Sequence, residues 1–442
     1  MITETLNELI ERIYLADKEI NNKVIEMEEV SKMILLTLFS KNHLFLIGTP
    51  GVGKTYIFEI VSTIIEDGST FDICIKDDTK YSEIFGEKIK DENDRITVDL
   101  SGTIVQSHIA IIDEIWKGNS KVINSLLSIT SGYRTAFIDG VGKVMSPLIS
   151  AFAASNEMPQ DKSLEALADR FVIKMVVNRI QDDTNWKKFI KKDYDTDPNL
   201  TTKFLPNEID LIYTKAQTDV EIPETILDIM LNIKNQAVVE KLKMSDRRFG
   251  FATSLIKTSA FINRRMIVNR SDLFILKYIM WSDLDEIDQV SLIISNEIFG
   301  RKDEIKKLIN ESYDKLDEVK SVEKGELSSF KNHRRYFSQE NEREFVYYYN
   351  LFVKNLERKI KAFNTLVIVV DSYNKMIEIE KEIRENYFIE NYNSDLFESI
   401  NIKELGENFV KVEQEIKNDK NWLNDNDKIF KYNNGVNKKR ES

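Results

Sequence analysis

The stretch from Phe45 to Thr55 reads FLIGTPGVGKT, with Gly48, four intervening residues, and then Gly53 and Lys54. This order fits the phosphate-binding pattern G-x-x-x-x-G-K-[ST] completely. Glycine allows positive φ angles and a close approach of the backbone to phosphate. Lys54 would reach the β- and γ-phosphate oxygens, and Thr55 would offer its hydroxyl to Mg²⁺. The residues expected to bind a nucleoside triphosphate are Gly48, Thr49, Pro50, Gly51, Val52, Gly53, Lys54, Thr55 and Tyr56.

A second motif follows later in the chain, where the apolar run Ile109–Ile112 ends in Asp113 and Glu114. This is the Walker B arrangement. Asp113 would hold Mg²⁺ through water, and Glu114 would orient and polarise the attacking water, as a general base or through its charge alone. An apolar run followed by two carboxylates is a weak signal by itself, but after a complete P-loop it becomes specific.

Two further polar residues stand where a triphosphate site needs them. Asn156 ends the apolar run ISAFAAS, where an amide can hydrogen-bond both the γ-phosphate and the attacking water, the role called sensor 1. The alternative is a turn-forming asparagine. Arg170 follows a short helical pattern, and it is either an arginine finger that enters a neighbouring subunit's site or a surface arginine paired with Asp169.

Composition narrows the class of protein. A chain of 442 residues suggests two or three domains. It has no run of about 18 uncharged apolar residues, and its start, MITETLNELIERI, lacks the order of a signal peptide, so we expect a soluble, cytoplasmic protein. Cys74 is the only cysteine and the histidines are far apart in sequence, so neither a disulfide framework nor a zinc site is supported.

The formal net charge of −12 lies almost wholly in residues 1–300. Proteins that bind nucleic acid without sequence preference need a basic face that neutralises phosphates. The acidic character of residues 1–300 therefore argues against a nucleic-acid partner, although net charge does not exclude a local basic patch.

The elements that must position these residues can be read from periodicity. Residues 2–40 carry apolar residues at helical spacing, and Tyr56–Ile65 has helix length. Four segments read as strands: Leu44–Ile47, Thr70–Ile75 and the apolar runs before Asp113 and Asn156. Residues 132–150 carry glycines between two apolar segments, which predicts a hairpin. Val24 and Ile25 precede the P-loop, where adenine often rests on such a segment, although ordinary packing is the favoured interpretation of these two residues.

The second half of the chain changes character. Asp193–Pro206 is rich in polar residues and proline and reads as a loop that leaves the core, and no proline follows Pro223. Residues 300–442 are highly charged and suggest three long helices, near 300–335, 340–388 and 402–430, with a frayed basic end. The segment LVIVV at 366–370 could form a strand, but we expect a buried helix segment.

An aromatic cluster lies within the charged second half. It contains more rings than one helix face can bury against a single neighbour, so we expect these rings to be exposed and to mark a docking surface for a partner. The cluster consists of Phe345, Tyr347, Tyr348, Tyr349 and Phe352.

The motifs occur in the order P-loop, IIDEIWKGNSKVINSLLS, AASNEMP and SLEALADRFVIKM, which resembles the MoxR branch of the AAA+ ATPases and, within it, the RavA subfamily. The later residues SDRRF and the helical run after them look like that subfamily's lid and sensor 2 region, so the match covers roughly residues 2–290. The resemblance implies an α/β fold: a three-layer αβα P-loop AAA+ core at residues 1–195, an all-α lid at 196–298 and a C-terminal helical arm at 299–442.

The resemblance also implies ATP or ADP with Mg²⁺ as ligands and a hexameric ring with nucleotide between subunits. By position, the catalytic roles of the family fall to Glu114, Asn156, Arg170 and either Arg247 or Arg248, and the metal ligands are Thr55 and Asp113. Ile25 would line the base site. MoxR-type enzymes commonly act with a partner that carries a von Willebrand factor A (vWA) domain, which is the partner expected here.

Two functions remain open at the level of sequence. The first is a Mg²⁺-dependent ATPase ring that remodels a partner protein or helps it mature. The second is a nucleotide-gated scaffold whose helical arm binds a partner, with hydrolysis only resetting assembly. Glu114 and Arg170 favour turnover over mere binding. The best-known RavA member has a β-rich insertion that binds a lysine decarboxylase, and this chain shows no equivalent strand-and-turn pattern.

Overall fold

The computed structural model describes residues 2–90, 96–138, 141–299, 302–325, 327, 342–389, 407 and 409–424. The chain forms two compact units. Unit 1 comprises Met1–Ile298 and Glu382–Asn391, and unit 2 comprises Phe299–Lys381 and Tyr392–Ser442. The boundaries of the three domains expected from the sequence stay predictions.

Unit 1 contains a central sheet flanked by helices, with two separate hairpins. The central sheet has five strands in the order β2-β5-β8-β1-β9, and all neighbouring pairs are parallel. The strands in chain order are β1 (Leu44–Ile47), β2 (Thr70–Cys74), β3 (Glu87–Lys90), β4 (Ile96–Asp99), β5 (Ile109–Asp113), β6 (Thr135–Ile138), β7 (Gly142–Met145), β8 (Ser150–Ser155) and β9 (Ile173–Val176).

The sequences of the central strands explain their place. Strands β1 and β8 are buried along their whole length, as expected for parallel strands that are covered on both faces. Ile47 lies opposite Ser155 on one side and Val176 on the other, so these strands end at the same edge. The P-loop, the Walker B carboxylates and Asn156 follow the carboxyl ends of β1, β5 and β8 and are thereby brought together.

No described helix is long and apolar enough to cross a membrane.

Helices cover the sheet and form the rest of unit 1. These helices are α1 (Ile2–Lys23), α2 (Glu28–Phe39), α3 (Lys54–Ser62), α4 (Tyr81–Phe85), α5 (Ser120–Asn124), α6 (Leu126–Ile129), α7 (Glu165–Ala168), α8 (Asp183–Lys191), α9 (Pro206–Asp219), α10 (Glu224–Val239), α11 (Asp246–Ile262) and α12 (Ile287–Phe299). Short 3-10 helices occupy Ile104–Gln106, Lys162–Leu164, Arg270–Tyr278 and Leu284–Glu286.

The strands, the hairpin and the loop predicted from the sequence are present in unit 1. Strands β6 and β7 form the predicted hairpin, and the stretch between α8 and α9 is the predicted loop. Gly140 lies outside the described residues. The elements that the sequence analysis did not predict include the antiparallel hairpin β3–β4 and helix α8. The fold is thus an α/β core with a parallel sheet between helices, followed by further helices.

Unit 2 is helical in its described part. It contains α13 (Lys302–Lys324), most of α14 (Glu342–Glu385) and a helix at residues 409–424. The segment LVIVV lies inside α14, which confirms that it is helical. Leu366 and Val369 are fully buried, whereas Ile368 is 58% exposed, so the segment is buried on one face only. Parts of the predicted helices near 328–335, 402–406 and 425–430 lie outside the described residues, as does the basic end.

The aromatic cluster of unit 2 is not the exposed surface that the sequence suggested. Phe352 is only 1% exposed and lies 4.6 Å, between ring centroids, from Trp422. Tyr348 and Tyr349 pack against the same core, and only Tyr347 is largely exposed. The prediction failed because α14 has more than one helical neighbour and therefore buries rings on more than one face. The side chain of Phe345 lies outside the described residues.

Candidate functional site

The P-loop links β1 to α3 and has the backbone geometry of a phosphate cradle. Gly51 and Gly53 have φ angles of 80° and 91°, in the region that side chains disfavour. At Gly48 a Cβ would lie 2.3 Å from the carbonyl oxygen of Val177, so only glycine fits beside β9. Helix α3 begins at Lys54, and the free N–H groups of its first turn suit an anion.

Lys54 lies at the centre of this loop and is nearly buried. Its Nζ donates to the carbonyl oxygens of Gly48 at 2.6 Å and Thr49 at 3.2 Å, and to Oδ1 of Asn156 at 2.9 Å. Burial lowers the pKa of Lys54, and the charges of Asp113 and Glu114 oppose that shift. The ammonium group thus donates to neutral oxygens. Phosphate oxygens can replace them, and the lysine would then be paired with negative charge.

Thr55 and Asp113 meet where a metal ion of a nucleotide complex is expected. The Thr55 hydroxyl donates to Oδ2 of Asp113 at 2.8 Å. Hydroxyl and carboxylate oxygens are hard ligands that suit Mg²⁺, and few protein ligands are needed because the ion keeps waters and binds phosphate. Both residues therefore fit the metal role that the sequence predicts.

Glu114 has an unusual backbone and one unsatisfied carboxylate oxygen. Its φ of 51° lies in the left-handed region, which a non-glycine residue adopts at a cost and which often marks functional sites. Oε1 accepts from Nδ2 of Asn156 at 2.8 Å and pairs with Lys117 at 3.1 Å. Oε2 is buried without a hydrogen-bond partner among the described residues. A buried free carboxylate oxygen beside the P-loop is suited to accept a hydrogen bond from water.

A cavity of about 620 Å³ opens beside the P-loop and is lined in part by Val24 and Ile25, the two candidates for a base site named from the sequence. It also contains three aromatic residues that the sequence did not single out, Trp186, Phe189 and Tyr194. Trp186 and Phe189 lie on α8 and remain about half exposed, at 52% and 45%. An apolar, aromatic cavity next to a phosphate cradle can hold a nucleobase.

Helix α8 is fixed at its start by hydrogen bonds. Oδ1 of Asp182 accepts from the backbone N–H groups of Thr184 and Asn185, an N-cap. The carboxylate of Glu26 accepts from the backbone N–H groups of Gln181 and Asp182, which ties the helix to the segment before α2. The missed helix did carry a signal in the sequence, because an N-cap aspartate precedes apolar residues at positions 186, 189 and 190.

Arg170 lies at the other edge of the sheet from the P-loop. It precedes β9, whereas the P-loop follows β1, and the two strands are parallel. The four residues of β9 alone span roughly 13 Å. Arg170 is close enough to His43, at the start of β1, to contribute with burial and Arg134 to a lowered pKa of that imidazole. The structure does not bring Arg170 to its own phosphate cradle.

The two arginines at the start of α11 differ in their surroundings. Arg248 is 5% exposed, and it donates to Asp169 at 2.7 Å from Nε and to Ser282 at 2.9 Å from Nη2. Arg247 is exposed, and its side chain makes no hydrogen bond or ion pair with the described residues. It is near Arg170, because burial first and then the charge of Arg247 lower the pKa of Arg170.

Comparisons with known proteins agree with this geometry. Residues 11–209 match the family described as the MoxR domain in the MoxR-vWA-beta-propeller ternary systems, and residues 224–294 match an AAA lid domain. Protein MJ0079 of Methanocaldococcus jannaschii is 33% identical over 73% of this chain and 82% of its own length. MJ0812 of the same organism is 30% identical over 70% of this chain and 82% of its own length.

A solved structure shows the same fold. The putative ATPase of Cytophaga hutchinsonii superposes with a TM-score of 0.56 over 67% of this chain and 96% of its own, at 17% identity. The matching family models name the MoxR domain and the lid. The RavA subfamily expected from the sequence stays a prediction.

Proposed function

The chain belongs to the MoxR family of AAA+ ATPases, and from this premise we propose that it hydrolyses ATP in a ring of identical subunits, expected to be hexameric, that remodels a partner protein or helps it mature. The observation that supports the ring most strongly is the separation of Arg170 from its own P-loop, at opposite edges of one parallel sheet. A second copy can present its Arg170 to this P-loop, whereas the same copy cannot.

The side chain of Arg170 has no partner among the described residues. It makes no side-chain hydrogen bond or ion pair with them, and its Nε is a buried donor without an acceptor there. A free guanidinium is suited to the charge that develops on a transferred phosphoryl group, and such arginines contribute about a thousandfold or more to the rate. Arg247 is free and adjacent, which favours it over Arg248 as the sensor 2 residue, also acting on the neighbouring subunit's nucleotide.

Within one subunit the remaining residues would bind and orient the substrate. The P-loop N–H groups and Lys54 bind the phosphates, and the base lies in the aromatic cavity against Ile25. Mg²⁺ held by Thr55 and Asp113 would neutralise phosphate charge. Glu114 accepts a hydrogen bond from the attacking water and raises its nucleophilicity, while Asn156 holds that water and the γ-phosphate in line.

The ring proposal predicts how activity depends on assembly. ATPase activity per subunit should rise with protein concentration as oligomers form, because each site needs a second copy. Mass photometry and steady-state hydrolysis measured on the same dilution series test this. An assembled Arg170→Ala variant is the control, since it should form the same oligomers and stay inactive. Full activity per subunit in samples that are monomeric would contradict the proposal.

A vWA-domain protein is the partner that the family description supports. Copurification with vWA-domain proteins of the same organism, with and without ATP, tests this choice. Lys54→Ala protein is the control, because capture that depends on nucleotide should be lost in it. If no vWA-domain protein binds the assembled ATPase in either nucleotide state, the partner is of another class.

A further inference from the structure

The two free arginines are sequence neighbours of a partly buried ion pair. Arg170 directly follows Asp169, and Arg247 directly precedes Arg248. Oδ1 of Asp169 accepts from Nε of Arg248 at 2.7 Å and from its Nη2 at 2.5 Å. Because the ion pair joins the end of α7 to the start of α11, it brings the two flanking arginines to one place.

The ion pair is anchored on a third segment. Nη2 of Arg248 donates to Oγ of Ser282 at 2.9 Å, and Nη1 approaches the carbonyl oxygen of Trp281 at 3.4 Å. The same carbonyl accepts from Nζ of Lys174 on β9 at 2.9 Å. The backbone N–H of Ser282 donates to Glu286 at 2.6 Å. Helix α11, the 281–286 segment and β9 therefore hold Arg248 in one orientation.

Two unpaired cations side by side repel each other. Asp169 and Arg248 neutralise each other, so Arg170 and Arg247 leave two uncompensated positive charges on this surface. Burial lowers the pKa of Arg170, and the charge of Arg247 lowers it further while Asp169 acts in the opposite direction. A structure that holds like charges together needs a constraint, and such a pair is relieved by an anion with more than one negative charge.

We propose that Asp169 and Arg248 are positioning residues, which hold Arg170 and Arg247 together as a two-arginine subsite for the nucleotide phosphates of the adjacent subunit. This inference rests on the proposed function. It makes the completion of one subunit's active site depend on the contact between α7 and α11 of its neighbour. Disruption of that contact separates the two arginines and withdraws both from the phosphates.

The test compares two carboxylate-to-amide changes. Asp169→Asn keeps the side-chain shape and removes the ion pair beside Arg170. Glu208→Gln is the control, because Glu208 forms an ion pair with Arg12 at 2.7 Å between α1 and α9 that includes neither Arg170 nor one of its sequence neighbours. Asp169→Asn should lower kcat by about a hundredfold with little change in KM for ATP, as expected when catalytic groups are misplaced. Glu208→Gln should keep kcat within about twofold of the parent.

Mixed oligomers separate positioning in trans from a general loss of structure. Asp169→Asn subunits retain an intact P-loop, so they should recover activity with Lys54→Ala subunits, which still supply intact arginines. They should not recover with Arg170→Ala subunits, which supply none. If the mixture of Arg170→Ala with Lys54→Ala recovers activity and the mixture of Asp169→Asn with Lys54→Ala does not, the positioning role alone is overturned. If neither of these two mixtures recovers activity, the proposed ring is overturned as well.

Discussion

Glu114 combines a left-handed backbone, a hydrogen bond from Asn156 and a buried oxygen with no partner among the described residues. A fold keeps such costs only where the surrounding structure enforces them, which is common at reaction centres. The sequence could identify Glu114, because an apolar run followed by Asp113 and Glu114 is characteristic of the Walker B motif. Sequence could not predict the φ angle or the free oxygen, since both depend on how β5 and β8 meet.

Glu114→Gln is predicted to keep nucleotide affinity and to lose turnover. The amide preserves the shape of the side chain and its contact with Asn156 while removing the charge that polarises water, so kcat should fall by at least about a hundredfold. Calorimetric titration with ATP and steady-state hydrolysis measure the two effects separately. A variant that hydrolyses ATP at the parent rate would show that Glu114 has a structural role only.

Trp186→Ala is predicted to weaken ATP binding. Contacts between aromatic side chains and bases contribute on the order of 1–3 kcal/mol, so the Kd should rise at least about fivefold. Ile190→Ala is the matched control, because Ile190 is also exposed on α8 but does not line the cavity. Equal effects of the two changes in calorimetric titration would place the base elsewhere.

At the scale of elements, prediction from sequence succeeded where local pattern decides. The strands before the P-loop, before Asn156 and before Glu114 are short apolar runs, and each was predicted. Helix α8 was not predicted, and it has no buried residue, so it lacks the core-facing apolar face by which a helix is recognised in sequence. The aromatic residues of α14 were misread for the opposite reason, since burial by a second neighbouring helix depends on tertiary contacts that one helix's periodicity does not contain.

Strand β9 carries a buried lysine whose protonation should be visible in stability. Burial lowers the pKa of Lys174 to about 7, Arg248 adds to this shift, and Asp169, Glu286 and Asp283 oppose it. The unfolded chain holds this proton up to about pH 10.5, the ordinary value. The cost of burying the charge is therefore present in full below about pH 7 and is relieved as the pH rises toward 10.5.

Lys174→Met removes that titration, so the variant's Tm relative to the parent should fall steadily between pH 7 and pH 9. Lys18→Met, on an exposed position of α1, is the control and should show no such trend. Thermal unfolding at several pH values measures both. Methionine also loses the hydrogen bond to Trp281, which lowers the Tm at every pH. The test is therefore how the Tm difference between variant and parent changes with pH, and a difference that is the same at every pH would contradict the depressed pKa.

At the scale of the whole molecule, the proposed mechanism leaves the active site of a single subunit incomplete. The P-loop, Asp113, Glu114 and Asn156 meet at one edge of the sheet, and the free arginines lie at the other. The sequence identified all of these residues, but their opposite placement follows only from the parallel strand order. The incomplete site explains why turnover should require assembly, and it predicts that two different defects can complement each other.

The central claim is that Arg170 acts on the nucleotide of an adjacent subunit. Lys54→Ala protein should bind no ATP, and Arg170→Ala protein should bind ATP without hydrolysing it. When the two inactive proteins are assembled together, some interfaces pair an intact P-loop with an intact arginine. Hydrolysis by these mixed oligomers, absent from either protein alone, is the result expected. Oligomers that contain both variants, verified by mass, and still show no hydrolysis would contradict the account.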